Sequence, residues 1–579
     1  MNHSFVIATK LIMLNINQEQ AIHASGNLAV FACPGSGKTR TLIEKAAHLI
    51  SPDHDDRILI VTFTKKAAGE IKERINKKIG PLSSRISVGT FHSVCKQQLE
   101  KGLSKKFNLV TGSKLIALVK RAMKQVDFEG KADDALQKID AAKCSITAPT
   151  DAAINDLFEA YQELLRRDGK HDMHDLILDA VAEMKAGRLR PFGHKWIFVD
   201  EFQDTDHVQF EWLKLHRNPS RSITVVGDDD QCIYGWRNAL GFQGMERFVN
   251  EFQAEVVTLG INYRSYREIV FPSACLINLN QDRMLKALDP ARGRGGRIAC
   301  NRFSTDQDEA EALANAATQA PSEWAVLART NMALDVIELE LTARQIPYTR
   351  HGGSGVWSKL ATQVLLDLLQ SISRQSNGGY DSLLHWMGVP EHELSQLHQH
   401  GQISYVGASY PDGDGISAST KKTINNLAIK FLDWQNLAKN KREELLLIGV
   451  SEFLMPAAST WDKEILARAI SVLQRLKGSI SQRIALVQRK QEEDIEGVGL
   501  FTMHASKGLE FTNVWIIRAE EEVIPSERSP ESEERRLMYV AMTRAQNRLV
   551  ISATSLNKPS RFISEAGLSM PKVGSPINL

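Results

Sequence analysis

One stretch decides the fold, Val30-Phe31-Ala32-Cys33-Pro34-Gly35-Ser36-Gly37-Lys38-Thr39-Arg40. A β-prone run over residues 27–32 leads into a glycine-rich turn, and a helix-forming stretch follows from Lys38. This order predicts a phosphate-binding loop, because the backbone N–H groups of the turn and of the helix N-terminus converge on one anion. The spacing fits G-x-x-x-x-G-K-[ST], except that Ala32 stands where the first glycine is usual. An ordinary Gly/Ser connector before a helix is the alternative until an acidic partner motif is found.

Two side chains of this loop have a predicted chemical role. Lys38 supplies a mobile positive charge for the terminal phosphates of a nucleotide, and the hydroxyl of Thr39 can ligate Mg²⁺. The remaining residues of the predicted phosphate-binding set are Ala32, Cys33, Pro34, Gly35, Ser36, Gly37 and Arg40.

The acidic partner motif is Trp196-Ile197-Phe198-Val199-Asp200-Glu201-Phe202-Gln203-Asp204-Thr205. Its apolar start predicts a buried strand that ends in two carboxylates, at the edge where α/β sheets bind ligands. Asp200 can hold Mg²⁺ through its water shell. Glu201 is placed to orient and deprotonate an attacking water. A helix cap is the alternative for such a pair, but a neighbouring phosphate loop argues against it.

Composition limits the classes of function. The net charge of the 579 residues is only +2, so any affinity for nucleic acid must come from a local basic groove. The six cysteines contain no C-x-x-C pair, and we expect neither zinc nor an iron–sulfur cluster. No apolar run is long enough to span a bilayer, and residues 1–13 lack a cleavage signature for a signal peptide. A reducing, cytoplasmic setting fits best.

Two clusters combine hydroxyl, aromatic and basic side chains at predicted strand ends. The first is Phe63-Thr64-Lys65-Lys66, after the strand pattern of residues 57–62. The second is Val88-Gly89-Thr90-Phe91-His92-Ser93. Such clusters can hold a nucleic-acid backbone while an aromatic ring stacks on a base. The alternative for both is a helix cap with a core phenylalanine.

A third strand, residues 222–226, leads into Gly227-Asp228-Asp229-Asp230-Gln231-Cys232-Ile233-Tyr234-Gly235-Trp236-Arg237. Three adjacent aspartates repel one another unless a cation or basic groups balance them. Gln231 is a neutral group able to sense a γ-phosphate, and Trp236 can stack on a base. A fourth strand, residues 256–259, leads into Asn262-Tyr263-Arg264-Ser265, where an aromatic ring precedes a guanidinium suited to phosphate.

The rest of the chain divides into helical and α/β segments. Residues 95–194 are mainly helical, and within them Asp172-Met173-His174-Asp175-Leu176 is predicted to cap a helix, with a contact to DNA as the alternative. Residues 292–297 are predicted to form a flexible basic linker. A second α/β unit is predicted to begin with a strand at residues 325–328. Residues 374–496 are irregular around Gly378-Gly379 and 412–415 and then helical. Two late motifs follow, Thr502-Met503-His504-Ala505-Ser506-Lys507-Gly508-Leu509-Glu510-Phe511 and Tyr539-Val540-Ala541-Met542-Thr543-Arg544-Ala545.

The motifs, in this order and spacing, resemble the UvrD/Rep/PcrA branch of superfamily 1 (SF1A) DNA helicases over residues 14–552, with Ser506 where the family usually has alanine. The resemblance implies an α/β fold of two RecA-like P-loop motor domains, each with a mainly helical inserted subdomain. The implied boundaries are 1–94 with 195–285 (1A), 95–194 (1B), 286–373 with 497–579 (2A), and 374–496 (a shortened 2B).

The resemblance also implies the role of each matching residue. Gln18 would read adenine, Tyr263 would stack on it, and Glu510 would bond the ribose. Catalysis would rest on Lys38, Glu201, Gln231, Arg264 and the arginine finger Arg544, with ATP and Mg²⁺ as cofactors. Single-stranded DNA would lie along Phe63, Thr64, Thr90, His92 and Trp236 in one domain and Thr502 and His504 in the other.

The implied function is 3′→5′ movement on single-stranded DNA and at junctions with duplex, driven by ATP hydrolysis in the cleft between the two motor domains. It would serve DNA repair, replication or recombination near a bacterial nucleoid. One alternative is a DNA-stimulated ATPase subunit of a repair or anti-phage complex, with little unwinding of its own and a protein partner. A second alternative, a P-loop kinase for a small molecule, is disfavoured by the two late motifs.

Overall fold

The computed structural model describes residues 14–104, 106–374, 379–399, 415–492 and 496–579. The expectations for residues 1–13, for Gly378 and for residues 412–414 therefore lie outside the described residues. The chain forms two units. The first contains Met1–Gly296 and Glu527–Tyr539, and the second contains Arg297–Ser526 and Val540–Leu579.

Six of the described strands form a parallel sheet in the first unit, in the order β3-β2-β4-β5-β1-β6. They are β1 (Leu28–Ala32), β2 (Ile58–Thr62), β3 (Ile86–Thr90), β4 (Trp196–Val199), β5 (Ser222–Gly227) and β6 (Glu255–Leu259). The predicted strands at residues 27–32, 57–62, 196–199, 222–226 and 256–259 are thus confirmed within a residue or two. A short pair, β7 (Ile261–Asn262) and β8 (Asp289–Pro290), follows this sheet.

Alternate residues of each strand face two different hydrophobic cores. In β1, Ala29 and Phe31 belong to one core, while Leu28, Val30 and Ala32 belong to the other. This is why the strands read as continuous apolar runs, since a parallel sheet covered on both faces leaves no polar side. One core receives side chains from α4, α8, α9 and α10, and the other from α1, α2 and α3.

The helices of the first unit include α1 (Ile16–His23), α2 (Lys38–Leu49), α3 (Lys65–Ile79), α4 (Phe91–Leu103), α5 (Ser113–Gln125), α6 (Ala132–Lys143), α7 (Ala152–Arg167), α8 (Asp175–Lys185), α9 (His207–Leu215), α10 (Gly241–Phe252) and α11 (Arg267–Ile277). Helices α5, α6 and α7 share a core of their own, which contains Leu118, Ile139 and Tyr161. Helices α4 and α8 contribute to the core on the sheet instead.

A buried ion cluster closes this helical part. The ammonium group of Lys143, at the end of α6, lies 2.7 Å from Asp172 and 2.5 Å from Asp175. Each of these aspartates also accepts the other's backbone N–H, so the predicted capping stretch holds the N–H of Asp175, the first residue of α8, through the side chain of Asp172. Tyr161 donates a further hydrogen bond to Asp172 at 2.9 Å.

The basic linker is fixed rather than loose. The guanidinium of Arg292 lies 3.8 Å from the ring centroid of Tyr266 and donates to the carbonyl of Arg264 at 2.7 Å. The backbone N–H of Gly296 donates to Glu268 at 3.0 Å. The boundary between the units falls directly after this linker, at Gly296 and Arg297.

The second unit has a second parallel sheet, formed by six described strands in the order β11-β12-β10-β13-β14-β9. They are β9 (Arg297–Phe303), β10 (Trp324–Ala328), β11 (Tyr348–His351), β12 (Val498–Thr502), β13 (Phe511–Ile516) and β14 (Ala545–Thr554). The predicted strand at residues 325–328 is confirmed as β10, whereas β9, which precedes it in the chain and pairs with β14, was not predicted. Polar and apolar residues do not alternate clearly along β9. The strand lies at the edge of the sheet, where most of its residues are only half-buried.

The remaining helices are α12 (Asp306–Ala317), α13 (Asn331–Ala343), α14 (Leu360–Arg374), α15 (Tyr380–Trp386), α16 (Glu391–Gln399), α17 (Ala418–Lys439), α18 (Glu443–Leu454), α19 (Thr460–Arg475), α20 (Ile480–Glu492), α21 (Glu531–Met542) and α22 (Arg561–Glu565). Helices α14 to α20 share one hydrophobic core that includes Trp434 and Leu466. This confirms the helical reading of the later part of residues 374–496. In the part of the chain that the structure describes, no helix has the length and apolarity needed to cross a membrane.

We predict that Lys143→Met destabilises the protein by about 3–5 kcal/mol, because it leaves two buried carboxylates without their cation. Urea unfolding followed by circular dichroism measures the loss. Lys96→Met is the matched control, since its ion pair with Glu100 is only half-buried and should contribute less than about 1 kcal/mol. Equal stability of the two variants would contradict the role given to Lys143.

Candidate functional site

The phosphate loop joins β1 to α2 and depends on two glycines. Gly35 and Gly37 have φ of +65° and +81°, which side chains with a Cβ rarely adopt. A Cβ on Gly35 would lie 2.6 Å from the Cβ of Arg264. Ala32, the departure from the usual pattern, is the last residue of β1 and is fully buried. The usual first glycine of the pattern is therefore replaced by alanine at a position that belongs to the strand, before the loop itself begins.

Hydrogen bonds from several segments hold the loop. The Ser36 hydroxyl donates to the Cys33 carbonyl at 2.7 Å, and the Cys33 N–H donates to the carbonyl of Leu259 at 2.9 Å. Asn262 donates to the carbonyl of Pro34 at 2.8 Å. Burial raises the pKa of Cys33 to about 12, so this thiol stays neutral and adds no negative charge beneath the loop.

The edge where β1, β4 and β5 end brings a hydroxyl, an ammonium and two carboxylates together. The Thr39 hydroxyl lies 3.4 Å from a carboxylate oxygen of Asp200, and the Lys38 ammonium lies 4.0 Å from Asp228. Arg40 follows in the first turn of α2. Burial and the neighbouring Glu201 raise the pKa of Asp200 to about 7. Two oxygen donors at this spacing fit a hard cation such as Mg²⁺, whose charge would favour the ionised form of Asp200.

Glu201 has an unusual backbone conformation. Its φ is +54°, which is uncommon for a residue with a side chain and often marks a functional site. Gln203 donates to the Glu201 carboxylate at 2.6 Å and accepts the N–H of Asp228 at 2.9 Å. The buried Gln203 amide thus links the two acidic segments.

The three aspartates after β5 are balanced by basic groups of the same unit. The ammonium of Lys286 lies 2.9 Å from Asp228, 2.5 Å from Asp229 and 3.0 Å from Asp230. Arg283 adds a bidentate pair to Asp230, at 2.7 and 2.8 Å. Their carboxylates lie close enough to one another to hold a metal ion together. The ammonium of Lys286 already lies among them, however, and supplies the positive charge.

Gln231 lies at the end of the aspartate turn. Its amide donates to the Asp228 carboxylate at 2.5 Å, and Asp228 is also the partner of Lys38. The predicted phosphate sensor and the predicted phosphate-binding lysine therefore share one carboxylate.

The predicted base-reading residues lie on the other side of the loop. Gln18 donates to the carbonyl of Ser36 at 3.0 Å and forms a reciprocal capping box with Asn15 at the start of α1. The Tyr263 hydroxyl accepts a hydrogen bond from Asn15 at 2.9 Å, and its backbone N–H donates to the carbonyl of Gly35 at 2.9 Å. Arg264 follows at the Gly35 close approach, so the structure brings all of these residues to the loop.

Three aromatic rings lie in succession beyond the phosphate edge. Phe63 and Tyr234 are stacked, with ring centroids 5.6 Å apart and planes 17° apart. Tyr234 meets Trp236 edge to face at 6.4 Å. Trp236 is 38% exposed, and the guanidinium of Arg237 lies 4.3 Å from its ring centroid. We call Phe63, Tyr234 and Trp236 the aromatic row.

The predicted hydroxyl contacts act as helix caps in this structure. Thr64 accepts the N–H of Ala67 at the start of α3, and Thr90 forms a capping box with Ser93 at the start of α4. The capping contacts that the alternative interpretation expects are therefore present for both threonines, and Phe63 is half-buried rather than a core residue. His92 has a buried Nε2 with no hydrogen-bond partner in the described part of the protein. Burial and then His174 lower its pKa to about 4, so His92 is neutral at physiological pH.

The predicted residues of the second unit lie next to three strands. Thr502 and His504 are at the C-terminal end of β12, whereas Glu510 and Arg544 directly precede β13 and β14. Thr502 ends β12 and accepts the N–H of Ala505 at 3.2 Å, and His504 lies in the turn that follows. Glu510 precedes β13 and accepts a hydrogen bond from Gln546 at 3.1 Å. Ser506 is buried and donates to the carbonyl of Met503, which gives its hydroxyl a partner.

Arg544 is buried in the second unit, directly before β14. Its guanidinium donates to the carbonyls of Val540 and Leu509 at 3.0 and 3.1 Å. Both of these carbonyls belong to the second unit, as Arg544 does.

Several residues of the site were missed by sequence reasoning. Asn262 and Gln203 lie inside motifs already quoted, so the motifs themselves were the signal. Tyr234 lies two residues before Trp236 in a quoted motif, and a second aromatic residue so close to Trp236 was the signal for it. For Lys286 and Arg283 the signal was only the unbalanced charge of three aspartates, which does not say where the balancing groups are.

Comparison with known proteins gives matches along most of the chain. Residues 14–253 match the UvrD/REP helicase N-terminal domain, and residues 257–384 and 417–556 match the UvrD-like helicase C-terminal domain. The chain is 29% identical over 640 residues to the ATP-dependent DNA helicase PcrA of Leuconostoc citreum, covering 95% of this chain and 84% of the relative.

Two further relatives agree. PcrA of Staphylococcus epidermidis is 29% identical over 645 residues, with 95% of this chain and 86% of the relative covered. DNA helicase II of Haemophilus influenzae is 28% identical over 637 residues, with the same coverages. The two family domains match this chain in succession, and the matched residues include the phosphate loop, the acidic edge and the late motifs. The chain therefore belongs to the UvrD/Rep/PcrA-like helicases of superfamily 1 and is an ATP-dependent DNA helicase.

Proposed function

We propose that this helicase moves 3′→5′ along single-stranded DNA and opens junctions between single-stranded and duplex DNA. The observation that carries the proposal is one continuous segment of the first unit. Asp228 and Gln231 lie at the phosphate edge, and Tyr234 and Trp236 of the same segment form the aromatic row. A shift of Gln231 on ATP binding or hydrolysis would be passed along a few residues to the rings that grip DNA.

The hydrolytic roles we assign are those that the family resemblance implies, and the geometry of the phosphate edge in the first unit supports those of Lys38 and Glu201. Lys38 would leave Asp228 for the terminal phosphates of ATP, and Glu201 would take a proton from the attacking water. Gln231 and Arg264 would contact the γ-phosphate. From the second unit, Arg544 would act as the arginine finger, a role worth about 10³–10⁵ in rate where it occurs.

Thr39 and Asp200 are the residues that would hold Mg²⁺, which when bound would neutralise charge on the phosphate oxygens. Adenine recognition is assigned to Gln18 and Tyr263, and a ribose contact to Glu510. The Gln18 amide donates one N–H to Ser36 and accepts one hydrogen bond from Asn15. A side-chain amide has two N–H groups and two lone pairs, so one donor and one acceptor site remain for the base.

On the DNA side, the aromatic row offers ring faces for bases, each stacking contact contributing about 1–3 kcal/mol. The buried nitrogen of His92, which has no partner among the described residues, is a polar group that a bound strand could satisfy. Thr64 and Thr90 are assigned to the DNA strand as well, because they lie at the starts of α3 and α4, where the positive end of each helix favours a phosphate. In the second unit, Thr502 and His504 are assigned the same task.

We assign motor domain 1A to residues 1–94 and 195–285, insertion 1B to 95–194, motor domain 2A to 286–373 and 497–579, and a shortened 2B to 374–496. The first compact unit differs from the assigned domain 1A in that it extends past residue 285 to Gly296 and includes Glu527–Tyr539. The biological setting we propose is DNA repair, replication or recombination in a bacterial cytoplasm, near the nucleoid. The alternative of an ATPase sensor subunit with little unwinding is not favoured by relatives that are themselves named helicases.

The deciding experiment compares strand displacement on duplexes with a 3′ or a 5′ single-stranded tail, with ATP hydrolysis measured alongside. We expect displacement of the 3′-tailed duplex only, with hydrolysis stimulated by both single-stranded tails. Displacement from the 5′ tail would overturn the direction. DNA-stimulated hydrolysis without displacement of either duplex would favour the sensor subunit.

We predict that Lys38→Ala and Glu201→Gln each abolish ATP turnover, for different reasons. Lys38→Ala removes the charge that binds the phosphates, so ATP binding is lost as well. Glu201→Gln removes the general base, which should lower the turnover rate by about 10²–10⁴ and leave ATP binding largely intact. Filter binding and phosphate release measure the two quantities, with Glu44→Gln on the outer face of α2 as control. Full turnover in either variant would contradict the assignment.

We predict that Trp236→Ala weakens binding of single-stranded DNA by about 1–3 kcal/mol and reduces the stimulation of ATP hydrolysis by DNA. Trp461→Ala is a matched control, since Trp461 is 39% exposed and also has a cation near its ring, Lys359 at 5.2 Å. Fluorescence anisotropy with a labelled oligonucleotide measures the affinity. Equal effects of the two variants would show that the aromatic row is not the DNA contact.

A further inference from the structure

A buried lysine lies at the C-terminal end of α1. The side chain of Lys45, in the third turn of α2, donates to the carbonyls of Ala21 at 3.0 Å, Ile22 at 3.3 Å and Ala24 at 2.6 Å. The last carbonyls of a helix have no partner within the helix, and the partial negative charge there favours a cation. Lys45 thus satisfies three orphan acceptors at once.

The position of this ammonium is not explained by an ion pair. Lys45 is only 2% exposed, and the described carboxylate that acts on its charge, Glu255, does so from beyond salt-bridge distance. Burial lowers the pKa of Lys45 to about 8, which shows that its environment disfavours the charge. A long charged side chain is therefore buried where its main contacts are the end of a single short helix.

The other end of the same helix carries the base-reading residue. Gln18, in the first turn of α1, donates to the carbonyl of Ser36 in the phosphate loop. Ser36 directly precedes α2, and Lys45 lies within α2. Helix α1 is thus hydrogen-bonded to the loop at its start and to α2 at its end, and these contacts oppose rotation or sliding of the helix relative to the phosphate loop.

We propose that Lys45 is a positioning residue for nucleotide selection, because it holds α1 in the place from which the Gln18 amide distinguishes adenine from guanine. This inference rests on the proposed role of Gln18 as the residue that reads the base. Lys45 itself touches neither the phosphate loop nor the base in this account. Its effect should therefore be on the choice of nucleotide rather than on the chemical step.

The test compares kcat/KM for ATP and GTP, at saturating single-stranded DNA, in Lys45→Met and in the native protein. We expect the ATP-to-GTP ratio to fall roughly tenfold, the loss that accompanies one well-placed hydrogen-bond pair. The change should arise in KM for ATP, with kcat for ATP retained. Lys78→Met, on the exposed surface of α3, is the matched control and should leave the ratio unchanged.

Two conservative variants keep the test decisive if Lys45→Met does not fold, as judged by circular dichroism and thermal unfolding. Lys45→Arg still offers several charged N–H donors to the three carbonyls and should keep most of the selectivity. Lys45→Gln offers a neutral, shorter donor and should fall between arginine and methionine. Equal ratios for Lys45→Arg and Lys45→Gln would overturn the proposal.

Gln18→Ala separates this inference from the proposed function. If Gln18→Ala leaves the ATP-to-GTP ratio unchanged, the base-reading role of Gln18 fails and the proposal for Lys45 fails with it. If Gln18→Ala lowers the ratio while Lys45→Met only lowers stability and kcat for both nucleotides alike, Lys45 is a structural cap and only the present inference is overturned.

Discussion

The parallel pairing of β1 with β5, and of β5 with β4, is the constraint on which the rest of this protein depends. It places Phe31 beside Gly227 and Val199 beside Val225, although these residues are far apart in the sequence. Because parallel strands end at the same edge, the phosphate loop, Asp200 and the aspartate turn arrive at one place. A shift of the register by one residue would exchange the two faces of a strand that is buried on both sides, so the register is firmly held.

Charge balance at this edge determines how the site can respond to a nucleotide. Asp228 is 2.9 Å from the buried ammonium of Lys286 and 4.0 Å from that of Lys38. Lys286 therefore supplies the permanent counter-charge, and Lys38 is held more loosely. The departure of Lys38 toward a phosphate does not leave Asp228 as an isolated buried charge, which would otherwise oppose binding.

Much of this organisation could be predicted from the sequence, because it depends on local patterns. The buried strands, the phosphate loop and the carboxylate pair are each encoded within about ten consecutive residues. The strands are visible as short apolar runs, and the loop and the carboxylates follow directly after such runs. The strand β9 was missed because an edge strand has a weaker apolar pattern. Lys286 and Lys45 were missed because their partners come from other segments, and a lysine looks the same in sequence whether it is exposed or buried.

The threonines Thr64 and Thr90 illustrate the same limit from the other side. Their helix-capping role follows from local spacing and is visible in the structure, whereas a contact with DNA depends on a strand that approaches both helices. The most direct test of the central claim is the time course of arrival at a DNA end. Stopped-flow measurement with a fluorophore at the 5′ end of single-stranded DNA should show an ATP-dependent lag that grows linearly with strand length, and no such lag with the fluorophore at the 3′ end. A signal independent of length at both ends would contradict directional movement driven by this site.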